Sequence, residues 1–245
     1  MNFKIFDINI ERINYSGLRD FISFSINNNK KKLITYVTAA SLNIIYENPE
    51  LKNVYHKFDL IHPDGVGVFF ASKFLFGKKG ASEKITGSDF YPILEEEIIK
   101  NKWRIFFFGE TDETLNKLLD KGELSEFIVG FQNGFDFQTE RLIKRINSLA
   151  PDILIVGIGA PRQEKWIVEN QDNLNVKVIL SVGEGIKVFA GADKVRGPEF
   201  IQKAGLEWLV RLVYNPRKFW RRYLIGIPLF IARIIILKLK KGKEY

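Results

Sequence analysis

Apolar runs alternate with helical patterns along most of the chain. Leu33 to Val37 reads as a strand, and Ser41 to Phe58 as a helix with Asn48-Pro49 inside its register. Leu60 to His62 is a short strand that runs into Pro63-Asp64-Gly65. Val66 to Phe76 is apolar on all sides and predicts a buried helix. Asp89 to Asn101 is an amphipathic helix with Ser88 or Asp89 as its N-cap. Trp103 to Phe108 predicts a buried strand ending at Gly109, followed by a helix over Thr111 to Lys121 with Asp112 and Glu113 in its first turn, where they favour the helix dipole. Phe127 to Phe131 is a strand, Thr139 to Leu149 a helix, and Asp152 to Val156 a strand. Gly157-Ile158-Gly159-Ala160-Pro161 then leads into a helix over Arg162 to Asn170. Val176 to Val182 is the last strand, and Gly183-Glu184-Gly185 follows it. Strands separated by helices of 10–15 residues argue for an α/β, Rossmann-like, mostly parallel sheet with helices on both faces.

Beyond Pro198 the pattern changes. Residues 201–245 carry 11 Lys/Arg against 2 Asp/Glu, whereas the first 200 residues carry 26 against 27. The net charge of +8 therefore resides in the tail. That tail holds Trp208, Tyr214, Phe219, Trp220 and Tyr223 among its cations, then a mostly apolar run from Leu224 to Leu239. We read residues 1–198 as an α/β catalytic domain and residues 199–245 as a helical, basic, membrane-binding appendage. Cations bind phosphate, and aromatic and aliphatic side chains enter the headgroup region of a bilayer. Nucleic acid would use the charge without the apolar run, so it is not expected as a partner. A spanning helix needs about 20 apolar residues, and the run from Leu224 contains Pro228, Arg233 and Lys238. The segment is therefore expected to lie on a membrane rather than through it.

The length suits one α/β domain with an appendage, and such a chain buries a sizeable core without staples. It has no Cys, which fits a reducing cytosol and excludes disulfides and thiolate metal sites. Only His56 and His62 are present, so a histidine-rich metal site is not expected. The N-terminus lacks the apolar segment of a signal peptide.

In open α/β sheets, ligands bind beyond the C-terminal ends of the strands. Those ends are Thr38, Asp64, Gly109, Gly157/Gly159 and Gly183/Gly185. Gly157-x-Gly159 before a helix is an anion site or a tight turn, and the third Gly of a dinucleotide fingerprint is missing. Asp64, pinned between Pro63 and Gly65, is a general base or a helix N-cap. Thr38 has the same ambiguity. Lys84-Ile85-Thr86-Gly87-Ser88-Asp89 either holds an oxyanion or is a capped loop. His62 reads as structural. No Asp-x-Asp occurs in the chain. A diphosphate would then need side-chain cations in place of a metal, and the tail arginines can supply them.

These segments together resemble a known family. Gly159-Ala160-Pro161-Arg162-Gln163-Glu164 is similar to the Gly-x-Pro-x-Gln-Glu block of the WecG/TagA/CpsF glycosyltransferases. Pro63-Asp64-Gly65-Val66-Gly67 and Thr86-Gly87-Ser88-Asp89 resemble two further blocks. Gly205-Leu206-Glu207-Trp208 through Arg211, with Pro216 to Tyr223, resembles the C-terminal signature. The resemblance implies an inverting, metal-independent transfer of a hexose or N-acetylhexosamine from a UDP-sugar to a polyprenyl-diphosphate-linked sugar, in the synthesis of teichoic acid, common antigen or exopolysaccharide. It implies a peripheral enzyme on the cytoplasmic face of the bacterial membrane, with no cofactor beyond the donor. It also implies oligomers that open to monomers at the membrane.

By the same resemblance, Asp64 is the general base and Thr38 positions substrate. Gln163, with Thr86, Gly87, Ser88, Asp89, Gly109, Gly157, Gly159, Pro161, Gly183, Gly185 and Lys187, forms the donor pocket. Arg211, Arg217, Arg221 and Arg222 neutralise the diphosphate. Four positions depart from the family pattern: Ala40 for Asn, Lys84 for Arg, Lys187 for an acidic residue and Asn215 for Glu. They surround the expected pocket and bear on the choice of sugar. Two other readings were weighed, a soluble Rossmann-type nucleotide enzyme and a non-enzymatic membrane or RNA adaptor. The first lacks its complete glycine fingerprint, and the second leaves the Asp64 and Thr86 segments without a purpose.

Overall fold

The computed structural model describes residues 2–192, 197, 201–202 and 205–241. The expected domain boundary at Pro198 lies outside them. Six parallel strands form the central sheet in the order β4-β3-β8-β7-β5-β6. They are β3 (Lys32–Val37), β4 (Leu60–Pro63), β5 (Ile105–Gly109), β6 (Ile128–Gln132), β7 (Ile153–Gly157) and β8 (Val178–Ser181). β5 and β7 are buried along their whole length, as strands covered on both faces must be.

Alternate side chains divide the core in two. Leu33, Phe106, Phe108, Leu154, Val156 and Ile179 point to one face. There they meet α2 (Ala39–Glu47), α3 (Leu51–Tyr55), α4 (Val66–Phe76), α7 (Thr139–Leu149) and α8 (Arg162–Asn170). Ile34, Ile105, Phe107, Ile155, Val178 and Leu180 point to the other. That face packs on α1 (Tyr15–Asn27), α5 (Gly87–Asn101), α6 (Asp112–Asn116) and α9 (Ile186–Phe189). The expected α/β architecture with helices on both faces is present.

Local chemistry explains where elements start and break. The expected helix over 41–58 is two helices, because Pro49 lacks the N–H that would continue the ladder. The α5 N-cap is Thr86, upstream of Ser88 and Asp89; its side chain accepts from Asp89 N. The expected helix over 111–121 is α6 followed by a 3₁₀ turn. An N-terminal hairpin, β1 (Asn2–Ile5) and β2 (Ile8–Glu11), adds Phe3, Ile5, Ile8 and Ile10 to the core and lies beside β4.

The tail continues as α10 (Glu207–Tyr214), α11 (Pro216–Trp220), a π-turn over Arg221–Ile225 and α12 (Gly226–Lys241). α12 docks against α2 and α4. Phe230 and Ile234 are 2% and 4% exposed, and Phe230 meets the Phe6 ring edge-on at 6.4 Å. Asn43 Nδ2 donates to Gly226 O at 2.7 Å. Arg233 donates to Asn43 O and Oδ1, pairs with Glu47 at 2.6 Å and lies over the Tyr46 ring. Exposed ion pairs contribute about 0–1 kcal/mol, while burying one Phe or Ile side chain contributes about 1.5–3 kcal/mol. The apolar seam therefore holds the tail helix, and the polar contacts set its register.

Candidate active site

A cleft of about 1140 Å³ opens at the C-terminal ends of β3, β4 and β8 and is roofed by the tail. Asp64 lies on its floor. The backbone pins this residue, since Asp64 N donates to Val37 O at 2.9 Å and Gly65 N to Ile85 O at 2.8 Å. Its carboxylate does not cap α4, whose N-cap is Gly65 with no side-chain bond. Asp64 Oδ1 instead accepts from Gly87 N at 2.8 Å, which leaves Oδ2 for other partners. Burial pushes the Asp64 carboxyl above its ordinary pKa; the Gly87 N–H and the Arg222 and Arg211 guanidinium groups pull it back, and Asp89 pushes it up again. A carboxylate with a raised pKa at a ligand edge is suited to taking a proton.

Thr38 also lines the cleft, with its side chain engaged in a capping box. Thr38 Oγ1 accepts from Ser41 N at 3.1 Å and Ser41 Oγ accepts from Thr38 N at 2.8 Å. Across the floor, Thr86, Gly87 and Ser88 form another wall. Thr86 Oγ1 donates to Asp89 Oδ2 at 2.6 Å. The third wall is the turn after β8, with Gly183, Gly185 and Lys187. Gly183 has φ +55, and a Cβ there would stand 2.4 Å from Tyr36 Oη, so only glycine fits.

The roof is cationic. Arg211, Arg221 and Arg222 line the same cleft as Asp64, and the charges of Arg222 and Arg211 reach its carboxylate. A guanidinium offers a planar fork of donors that matches phosphate oxygens. Lys218 of α11 bonds Glu184 of the Gly183 turn and so latches roof to wall. Lys187 lies 3.5 Å from Glu110 and 3.4 Å from Glu184. Burial works against the Lys187 charge, but Glu184 and Glu110 outweigh it and hold its pKa above the ordinary value. The arrangement thus places the buried Asp64 carboxylate and several anion-binding donors around one cavity.

A model of the glycosyl transferase WecG/TagA/CpsF family matches residues 3–244. The chain belongs to that family. It is 30% identical over 207 residues to an N-acetylglucosaminyldiphosphoundecaprenol N-acetyl-beta-D-mannosaminyltransferase of Bacillus spizizenii, covering 82% of this chain and 78% of the relative. A protein of the same name from Staphylococcus aureus is 30% identical over 241 residues, covering 88% of this chain and 89% of the relative.

Several candidate residues of this glycosyltransferase stand behind the cleft rather than in it. Gln163 is fully buried. It donates to Glu164 Oε1 at 2.7 Å and accepts from Gly183 N at 3.0 Å, so it holds the Gly183 turn from behind. Gly109 and Gly157 are close-approach positions, because a Cβ on Gly109 would meet Gly157 O at 2.3 Å and one on Gly157 would meet Gly183 O at 2.5 Å. Asp89 ties the Thr86 segment to Tyr15, whose hydroxyl donates to Asp89 Oδ2 at 3.4 Å. Pro161 caps α8 and borders a separate, shallow pocket. Arg217 is exposed and does not line the cleft, whereas Gly159 does. His62 is 2% exposed, and burial lowers its pKa to about 4. It stays neutral at physiological pH, as a structural residue would.

The sequence reading did not single out Tyr36 and Tyr91 as site residues. Both line the glycosyltransferase cleft. They sit inside a strand and a helix whose apolar patterns conceal them. Trp208 and Tyr223 line it too, their rings 5.8 Å apart; their signals were the aromatic density of the tail and their place in the C-terminal signature. Among the described residues, no group of three acidic or histidine side chains is placed to hold a metal ion, and no helix is long and apolar enough to cross a membrane.

Proposed function

We propose that this glycosyltransferase moves a hexose or N-acetylhexosamine from a UDP-sugar to a polyprenyl-diphosphate-linked sugar with inversion and without a metal. The observation that carries this reading is that Asp64, Arg211 and Arg222 line one cleft, close enough for both guanidinium groups to act on the carboxylate. The acceptor hydroxyl oxygen attacks the anomeric carbon while its proton passes to Asp64. The bond from that carbon to the UDP oxygen breaks, and its electron pair leaves on the β-phosphate. Arg211, Arg221 and Arg222 match the charge that develops there, the task a metal performs elsewhere. One displacement on one face inverts the centre. Thr86, Gly87, Ser88 and the Gly183 turn surround the donor.

The relatives' names place N-acetylglucosamine on an undecaprenyl diphosphate and N-acetylmannosamine on the donor side. This chain takes an acceptor of that class, and the Lys187–Glu110–Glu184 cluster bears on the donor sugar. The enzyme works at the inner membrane face. Leu224, Ile225, Ile236 and Leu239, all 47–64% exposed, meet the headgroup region beside the tail cations.

The test is a panel of UDP-sugars with a polyprenyl-diphosphate N-acetylglucosamine acceptor, read by UDP release in the presence of EDTA and by the anomeric coupling of the product. UDP release that persists in EDTA with an inverted product is expected. Retention of configuration, or loss of turnover restored by a divalent cation, would overturn the mechanism.

A further inference from the structure

The cleft does not end at its polar residues. It continues as an apolar arm between α4 and α12, lined by Phe70 and Phe74 on one side and Ile227, Ile231 and Ile235 on the other. Phe70 is 64% exposed, Phe74 53%, Ile231 52% and Ile235 45%. The i, i+4 spacing of each pair puts it on one side of its helix, and both pairs line the arm. Apolar side chains left open to water in a contiguous groove mark a binding surface.

Both helices start at the polar end. α4 follows Asp64 directly, and α12 follows Arg222 through the π-turn. They run the same way, and at the far end Lys238 of α12 donates to Leu75 O of α4 at 3.2 Å. From Val66 to Phe74 the groove runs about 12 Å at 1.5 Å per residue. Its α12 wall is held in place, because Phe230 and Ile234, next to Ile231 and Ile235, are buried in the core and also line the cleft. The complete cavity therefore has a cationic head end, a carboxylate at that end and a narrow apolar arm. A nucleotide sugar matches the head end and has nothing to place in the arm. An anionic head joined to a long hydrocarbon chain matches both.

We propose that the groove between α4 and α12 binds the first isoprene units of the acceptor, with the acceptor's diphosphate at the arginine end; this rests on the transferase reading above. The groove then sets the acceptor's register, so that the hydroxyl of the lipid-linked sugar reaches Asp64 only when the chain is seated. It also makes the enzyme discriminate by chain length. Each methylene taken out of water is worth about fourfold in binding, so an acceptor with a C15 chain is expected to exceed a C5 acceptor in kcat/KM by about 100-fold or more.

The experiment uses the full chain and farnesyl diphosphate bearing a diazirine at the end remote from the diphosphate. After irradiation, the labelled peptides are mapped by mass spectrometry. Label on residues 66–76 and 226–241, competed by unlabelled farnesyl diphosphate, is the expected result. The double variant Phe70→Gln/Ile231→Gln is expected to lose that label and to shrink the C15-over-C5 preference at least tenfold. Label elsewhere or absent, or an unchanged chain-length preference in a folded variant, overturns the proposal. Stronger labelling of the same peptides by a diazirine-tailed phosphatidylglycerol in vesicles assigns the groove to the bilayer and also overturns it. If no UDP-sugar is turned over and the label still maps to the groove, the transferase reading fails while the groove stands. If transfer to a C15 acceptor proceeds and the label falls outside, the groove alone fails.

Discussion

Replacing Asp64 by Asn removes the proton acceptor and little else. Asn is isosteric, and its Oδ1 can still accept from Gly87 N, the 2.8 Å bond that positions the side chain. The turn between β4 and α4 is held by backbone bonds to Val37 and Ile85 that the change does not touch. A positioned general base contributes about 10²–10⁴-fold, which is about 2.7–5.4 kcal/mol of barrier at 1.36 kcal/mol per tenfold. That loss is expected in kcat. UDP affinity is expected to hold or rise, since Asp64 no longer competes for Arg211 and Arg222. The pH profile gives a second readout. Burial holds the Asp64 pKa above its ordinary 3.8, so the acid limb of wild-type turnover lies above that value and vanishes in the variant. Stability moves in the opposite sense to activity. The folded protein binds this proton more tightly than the unfolded chain, so its stabilising effect is full below pH 3.8 and is lost as pH rises through the folded pKa. Ionised Asp64 therefore costs stability at neutral pH, and the variant is expected to melt at or above the wild-type temperature there. Steady-state transfer assays across pH, UDP titration and thermal melts at two pH values check these outcomes. Activity within tenfold of wild type, or an unchanged acid limb, would refute the assignment.

Two further changes probe the roof. Arg222→Ala is expected to lower kcat by about 10²–10³, the cost of one donor at a developing anion, while its exposed position keeps the effect on stability within about 0.5 kcal/mol; steady-state kinetics and a melt check both. Phe230→Ala removes a fully docked ring worth about 3–5 kcal/mol. The expected outcome is faster hydrogen exchange over residues 226–241 and reduced turnover, with protection of β5 and β7 unchanged.

Buried strands were the most legible part of the chain. β5 and β7 are runs of Ile, Phe, Leu and Val that no solvated helix would carry, and both are buried throughout. The N-terminal hairpin was not legible. Its turn uses Phe6 and Asp7 at φ 50° and 68° in place of the Asn-Gly or Gly residues that announce such turns. Gln163 illustrates a different gap. The family resemblance put Gln163 in the donor pocket, yet Gln163 and Glu164 share the buried face with Trp166 and Ile167. Their partners, Thr35 and Gly183, are distant in sequence. The tail arginines show the same limit, since all four read alike as cations. Arg221 and Arg222 reach the cleft on the π-turn, whereas Arg217 of α11 faces outward. A local change of helical period decides this, and hydrophobic pattern does not register it.

The surplus charge of the tail therefore divides by contact. Arg211, Arg221 and Arg222 enter the cleft, Arg233 clamps α12 to α2, Lys238 closes the far end of the groove, and Lys218 latches α11 to Glu184. These contacts differ in how salt reaches them. The Arg233 side chain is only 11% exposed and is backed by two bonds to Asn43, while the Lys218 and Glu184 side chains are 50% and 41% exposed. Screening at high ionic strength acts on the exposed pair first. The apolar seam under Phe230 and Ile234 is untouched by it. Of these contacts, the latch between the roof and the Gly183 turn is thus the one that salt can loosen, and the roof carries the arginines that line the cleft with Asp64. The tail can stay docked along α12 while the cationic side of the cleft loosens. Arginine placement and helix docking are accordingly separate energetic problems, the first electrostatic and the second hydrophobic.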